Sequence, residues 1–281
     1  MTRRFMGMPG LAALGLVAAV AATVVLGGVA QAQEKVPPED VRAFYGHDDR
    51  QFVDSTQFPW SAIGKLYFDS GGHCSGTVVA PRVVLTAAHC FFMGDGSSEV
   101  DRPTDFFAGF DEGHYVARAY IESYYVPPEY DPNRHLYTSE IDGYDYAFMV
   151  LDRDIGQITG MMSLHPLTDQ ELDQAVRGTW LTMSQGGYSR DAENQLTAHI
   201  GCPIVRYFND DTFFHECDTL QGDSGSPLFV QVGDQYHIIG VESATYMNDQ
   251  GEYDWNMAVD ARAFYDAFQR FMATNQLTRA D

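Results

Sequence analysis

From Trp60 to Val241 the chain is cut into short apolar runs rich in β-branched and aromatic residues, parted by Gly, Pro, Asp and Ser. In the first half these are Trp60 to Phe68, Ser75 to Val79, Val83 to Leu85, Phe106 to Gly109, His114 to Tyr120 and Tyr146 to Leu151. Gly178 to Ser184, Gln195 to Ile200, Pro227 to Val232 and His237 to Val241 follow in the second. Runs of this length, with turn residues and no helical pattern between them, point to an all-β sandwich or barrel and away from alternating βαβ units. The carboxyl end departs from the pattern. Between Ala258 and Met272, Phe264, Phe268 and Phe271 recur at helical spacing, with Arg262, Asp266 and Arg270 beside them. That is an amphipathic helix, whose aromatic face is expected to pack on the β body.

The amino terminus sets the compartment. Arg3 and Arg4 precede an apolar run from Leu11 to Val29, which ends in Ala30-Gln31-Ala32. A secretory signal over 1–32, cleaved after Ala32, is the expectation; the alternative is an uncleaved anchor, since the run is just long enough to span a bilayer. Residues 33–56 are polar and hold Pro37 and Pro38, as a propeptide or amino-terminal extension, and 57–281 form the main domain. No second apolar segment approaches membrane length, so no stable membrane insertion is expected after cleavage. The formal net charge is -22. Such a field repels nucleic acid and anionic surfaces and favours cationic partners.

In an oxidising compartment the four cysteines allow three pairings. The preferred one is local, Cys74 with Cys90 and Cys202 with Cys217. No close CxxC suggests a thiolate metal cage, and the dense Asp and Glu read as solvated surface, so neither metal nor cofactor is expected.

Three segments carry chemistry. Gly222-Asp223-Ser224-Gly225-Ser226-Pro227 exposes a serine in a glycine-flanked turn whose amides can converge on one point, although Gly-Asp-Ser-Gly alone is also an ordinary surface turn. Thr86-Ala87-Ala88-His89-Cys90 places a histidine beside a cysteine able to anchor its loop. Asp145, at the mouth of the apolar run Tyr146 to Leu151, is a carboxylate suited to fixing a histidine tautomer.

Together, in the order His, Asp, Ser, these segments resemble the signatures of trypsin-like serine endopeptidases. The likeness implies two six-stranded antiparallel β-barrels with a carboxyl-terminal helix. It also implies peptide-bond hydrolysis through an acyl-enzyme, with Ser224 as nucleophile, His89 as general base and acid, Asp145 as its orienter, and the Gly222 and Ser224 amides as oxyanion donors. A cysteine after the histidine joined to one on the preceding strand maps onto Cys90 and Cys74. An α/β-hydrolase would need the serine first and the histidine last.

Within the family, Phe58-Pro59-Trp60-Ser61-Ala62-Ile63-Gly64-Lys65-Leu66, Cys217-Asp218-Thr219 and Ser224-Gly225-Ser226-Pro227 are similar to bacterial secreted glutamyl endopeptidases, where Cys202 and Cys217 resemble a local bridge. The departure is Gly240-Val241-Glu242, with Glu242 where those enzymes carry an acid-reading histidine. The resemblance implies a primary pocket formed by Asp218, Thr219, Glu242 and Ser243. Asp218 matches the acidic pocket base of trypsin, so the two carboxylates favour Lys or Arg before the cut. The alternatives are glutamyl or broad specificity, or a protease-like binding module without turnover. Asp223 matches the residue that receives a freed amino terminus in trypsin, yet no Ile-Val-Gly-Gly start is present; in the alternative it caps nearby backbone donors.

Overall fold

The computed structural model describes residues 44–93, 99–133, 143–247 and 253–275. The expected signal, and the extension as far as residue 43, lie outside these. The strands are β1 (Gln51–Phe52), β2 (Ile63–Phe68), β3 (His73–Ala80), β4 (Val83–Thr86), β5 (Pro103–Ala108), β6 (Ala117–Tyr125), β7 (Ala147–Leu151), β8 (Ser163–Leu164), β9 (Met183–Gly187), β10 (Thr197–Cys202), β11 (Ile204–Tyr207), β12 (Thr212–His215), β13 (Pro227–Val232), β14 (Gln235–Met247) and β15 (Tyr253–Asp260). The helices are α1 (Gly156–Thr159), α2 (Asp169–Val176) and α3 (Ala261–Thr274).

The first half closes into a barrel in the order β2-β3-β4-β7-β6-β5. Closure is completed by β2 pairing with β5, Gly64 opposite Ala108 and Leu66 opposite Phe106. Its interior is filled by fully buried Leu66, Val84, Phe106 and Met149.

The second half corrects the expectation of two six-stranded barrels. It is an open path of eight strands, β1-β10-β9-β13-β14-β15-β12-β11, with β8 joining β14 as a ninth. Closure requires the terminal strands to meet with matched stagger. Here the ends are a two-residue strand from the amino-terminal segment, β1, and β11, whose register shifts between Ile204 and Arg206, and they do not pair.

The helix α3 starts three residues later than the aromatic spacing suggests, because Ala258 and Val259 are paired in β15. Asp260 then caps it, accepting the Arg262 amide at 2.6 Å. Phe268 and Phe271 pack 5.4 and 5.3 Å from Phe148 of the closed barrel. The aromatic face therefore joins the carboxyl-terminal helix to the first half. Replacing the buried Phe268 ring with Ala is expected to cost about 3–5 kcal/mol.

Candidate active site

His89 opens a single 3-10 turn, His89–Phe91, directly after β4. Cys90 within it is bonded to Cys74 of β3, so the turn is fastened to the barrel wall. Asp145 is 1% exposed at the entrance to β7. One of its oxygens accepts the His89 backbone amide at 2.8 Å, and the other lies 2.8 Å from Nδ1. An ionised carboxylate only accepts, so Nδ1 carries the proton and Nε2 is left as the base. Burial lowers the His89 pKa, but the charge and hydrogen bond of Asp145 outweigh it and hold the ring above its ordinary 6.5.

Ser224 occupies a tight turn between two glycines with left-handed backbones, Gly222 at φ +101° and Gly225 at φ +80°. A Cβ at Gly222 would lie 2.5 Å from the Tyr188 carbonyl oxygen, and one at Gly225 2.1 Å from Thr86 Oγ1. Only glycine fits either place. Ser75 of β3 pins the turn to the barrel. Its amide donates to the Ser224 carbonyl at 2.8 Å, and its hydroxyl donates to the Gly222 carbonyl and accepts the Tyr188 amide, both at 2.9 Å. Asp223 holds the turn from within, accepting Leu220 N at 2.8 Å and Ser189 Oγ at 2.7 Å. Burial pushes its carboxyl up to about 6, while the Arg50 charge and these donors pull the other way. His89, Gly222 and Ser224 line one cavity of about 310 Å3 together with Phe68, Phe92 and Tyr130.

The four expected pocket residues have different partners. Asp218 is fully buried and accepts the Tyr45 amide at 3.0 Å on one oxygen and the Asp49 amide at 2.8 Å on the other. Ser243 donates its hydroxyl to Asp145. Thr219 Oγ1 donates to Glu242 at 3.3 Å, and the second Glu242 oxygen is 2.9 Å from His215 Nε2. His215 Nδ1 accepts the Cys217 amide at 3.2 Å, so the ring proton is on Nε2, which lies close to Glu242 without making a formed hydrogen bond to it. Cys217 itself is bonded to Cys202.

Ser75, His215, Tyr45 and Asp49 were not singled out by sequence reasoning. Tyr45 and Asp49 act through backbone amides, which leave no trace in side-chain identity. Ser75, beside Cys74 in a β-branched run, has no distinguishing mark. His215 lies next to the Cys217 segment, and that proximity is its only signal.

Among the described residues two groups have metal-ligand geometry, Cys74 with His89 and Cys90, and Asp49 with His199 and Asp218. The sulfurs of the first are in a disulfide. In the second, Asp218 already accepts two amides, and His199 Nδ1 accepts the Asp218 amide at 3.0 Å. Neither is arranged to bind a metal.

A closed β-barrel facing a second antiparallel sheet, with the histidine and aspartate paired beside a glycine-flanked serine, defines a chymotrypsin-fold serine protease. The Trypsin family profile matches residues 50–267, and the chain belongs to that family. Its relatives include the glutamyl endopeptidase of Bacillus licheniformis, 28% identical over 218 residues that make up 75% of this chain and 63% of that protein. Spermosin of Halocynthia roretzi is 26% identical over 210 residues, 66% of this chain and 52% of that protein. The chain thus spans between half and two thirds of the length of these curated relatives. Among solved structures, a Glu endopeptidase in complex with MPD superposes with a TM-score of 0.65 at 25% identity, covering 81% of this chain and 98% of that one. The thermostable serine protease AL20, with a TM-score of 0.59 at 20% identity and 76% and 98% coverage, shares the fold.

Proposed function

We propose that this chain is an exported serine endopeptidase. Ser224 Oγ attacks the scissile carbonyl while His89 Nε2 takes its proton, and His89 then returns that proton to the leaving amine. Asp145 keeps the imidazole in the required tautomer and stabilises the imidazolium. The Gly222 and Ser224 amides receive the oxyanion, and water, activated by the same His89, releases the acyl group. The observation that carries this reading is the two-point grip of Asp145 on His89, at both backbone and ring, in the cavity that also holds Ser224. Two disulfides suit an oxidising, extracytoplasmic compartment. No helix among the described residues is long and apolar enough to cross a membrane. The signal over 1–32 belongs to this proposal. Any removed propeptide ends before Arg50, since Arg50 and Ser55 are buried in the body.

For the primary pocket we favour glutamyl or broad specificity over lysine and arginine. Both carboxylates that would attract a cation are already engaged, Asp218 by the Tyr45 and Asp49 amides and Glu242 by His215 and Thr219. The kinship to glutamyl endopeptidases points the same way.

The experiment is labelling with a serine-directed fluorophosphonate, alongside cleavage of a peptide library, for the wild type and Ser224→Ala. The wild type should take the label and cut peptides, and the variant should do neither. A wild type that takes no label and cuts nothing would leave the binding-module reading. Faster cleavage after Arg or Lys than after Glu, Leu or Ala would restore the cation-reading pocket.

A further inference from the structure

The segment from Phe44 to Arg50 reaches the nucleophile loop at both ends. At the start of the loop, Asp218 receives the Tyr45 and Asp49 amides, and Tyr45 stacks 5.6 Å from Trp255. At the far end the contact runs through Arg50, whose side chain is fully buried. Its guanidinium forks onto Asp48 at 2.9 and 3.0 Å and onto Asp191 at 3.1 and 2.7 Å. Asp191 lies in the turn that grips the loop. The amide of neighbouring Arg190 donates to the Gln221 carbonyl at 2.7 Å, and Ser189 one residue earlier donates to Asp223.

A buried guanidinium is costly unless its donors are matched, and here two carboxylates match four of them. Asp223 is equally buried, and its Oδ1 has no hydrogen-bond partner among the described residues. Arg50 is the cation whose charge acts on it. Placing an arginine inside this net fixes Asp191, and through Asp191 the turn whose Arg190 amide holds Gln221 and whose Ser189 hydroxyl holds Asp223. These residues lead directly into the two amides proposed to receive the oxyanion.

We propose that Arg50 is a positioning residue for the oxyanion loop, carried on a strap from Phe44 to Arg50 that must remain attached for the enzyme to be active. The loop is set in its working shape by an internal arginine and two strap amides, with no requirement for a newly cut amino terminus. This rests on the proposed role of Ser224, and the tests separate the two.

Arg50→Met and Arg50→Lys, made in the full chain, are compared with the wild type for kcat, KM, pH profile and thermal unfolding. The expected result for Arg50→Met is a kcat lower by about 10- to 100-fold with KM changed less than about threefold, on the scale of a misplaced oxyanion donor. Its acidic limb should move to higher pH. The charged groups acting on Asp223 are Arg50 and Glu242, and its neutral donors are Ser189 Oγ and the Leu220 amide. Removing Arg50 leaves only the repulsive charge. Arg50→Lys, which keeps the cation, should recover most of kcat. An Arg50→Met variant that melts earlier yet keeps wild-type kcat and pH profile would show a purely structural arginine and overturn the proposal.

Should Arg50→Met not fold, the wild type still decides. The intact mass of the species labelled at Ser224 should include Arg50, and a fully active labelled species beginning at Gln51 or later would overturn the proposal. Absence of label and turnover in the wild type would instead overturn the catalytic reading on which this one stands.

Discussion

His215 Nε2 lies 2.9 Å from a carboxylate oxygen of Glu242, and both side chains are shut away from solvent. With its other nitrogen accepting the Cys217 amide, the imidazole keeps its proton on Nε2, beside a buried acid to which it makes no aligned hydrogen bond. Removing one partner of such a pair strands the other. We expect His215→Ala to destabilise the fold by about 3–5 kcal/mol, and His215→Leu combined with Glu242→Leu to recover much of that. Urea midpoints at constant m would measure it. A loss of His215 that costs under about 1 kcal/mol would mean that water already reaches the carboxylate.

The Asp145 carboxylate fixes both the tautomer and the basicity of His89. Asp145→Asn should lower kcat on the order of 10^4-fold. Catalysis needs neutral His89, whose pKa is raised over 6.5 by Asp145 against the opposing effect of burial. In the wild type, activity should therefore fall with decreasing pH through a value above 6.5. In Asp145→Asn the residual activity should persist to lower pH, because the raising charge is gone. An acid limb unchanged between the two proteins would remove Asp145 as the cause.

The Cys74–Cys90 bridge closes a short loop, its cysteines 16 positions apart in the sequence. On the chain-entropy model its loss costs about 3 kcal/mol. The paired change Cys74→Ala with Cys90→Ala should lose more activity than partial unfolding explains, since Cys90 adjoins the base. Comparing kcat per labelled active site with the folded fraction by circular dichroism separates the two effects.

Asp260 caps α3 from a buried position, and burial pushes its pKa up to about 7 against an ordinary 3.8. The folded state therefore holds this proton more tightly than the unfolded chain. Its contribution is fully present below about pH 4 and is lost as pH rises through 7, a change on the order of 2–4 kcal/mol. Asp260→Asn keeps an acceptor for the Arg262 amide but no longer titrates. Unfolding free energy measured from pH 4 to 8 should fall less steeply with rising pH in the variant, and parallel curves would assign the slope to other groups.

The closed barrel was readable because its strands announce themselves. Val83 to Leu85 and Tyr146 to Leu151 are apolar throughout, and their pairing carries Asp145 beside His89. The openness of the other sheet was not readable. It depends on β1, two exposed residues within a polar stretch, and on β12 and β15, whose pairing is set by distant partners. The segments around His89, Asp145 and Ser224 stood out because their residue types are uncommon in combination. The directions of Asp218 and Ser243 did not. A residue's neighbours in sequence do not say which way a loop turns its side chain, and here the Tyr45 and Asp49 amides and the Asp145 carboxylate supply the partners.

A sheet that stays unrolled has two rims on which a stray extended peptide can settle by adding its own backbone to the ladder. For an enzyme proposed to cut peptide chains, that is an invitation to aggregate with its own substrates. The rims of this sheet are poor templates. One is the two residues of β1, too short to register a visitor; the other, β11, breaks step between Ile204 and Arg206 and turns Arg206 outward. The same irregular ends that keep the second half from closing also guard it against its surroundings.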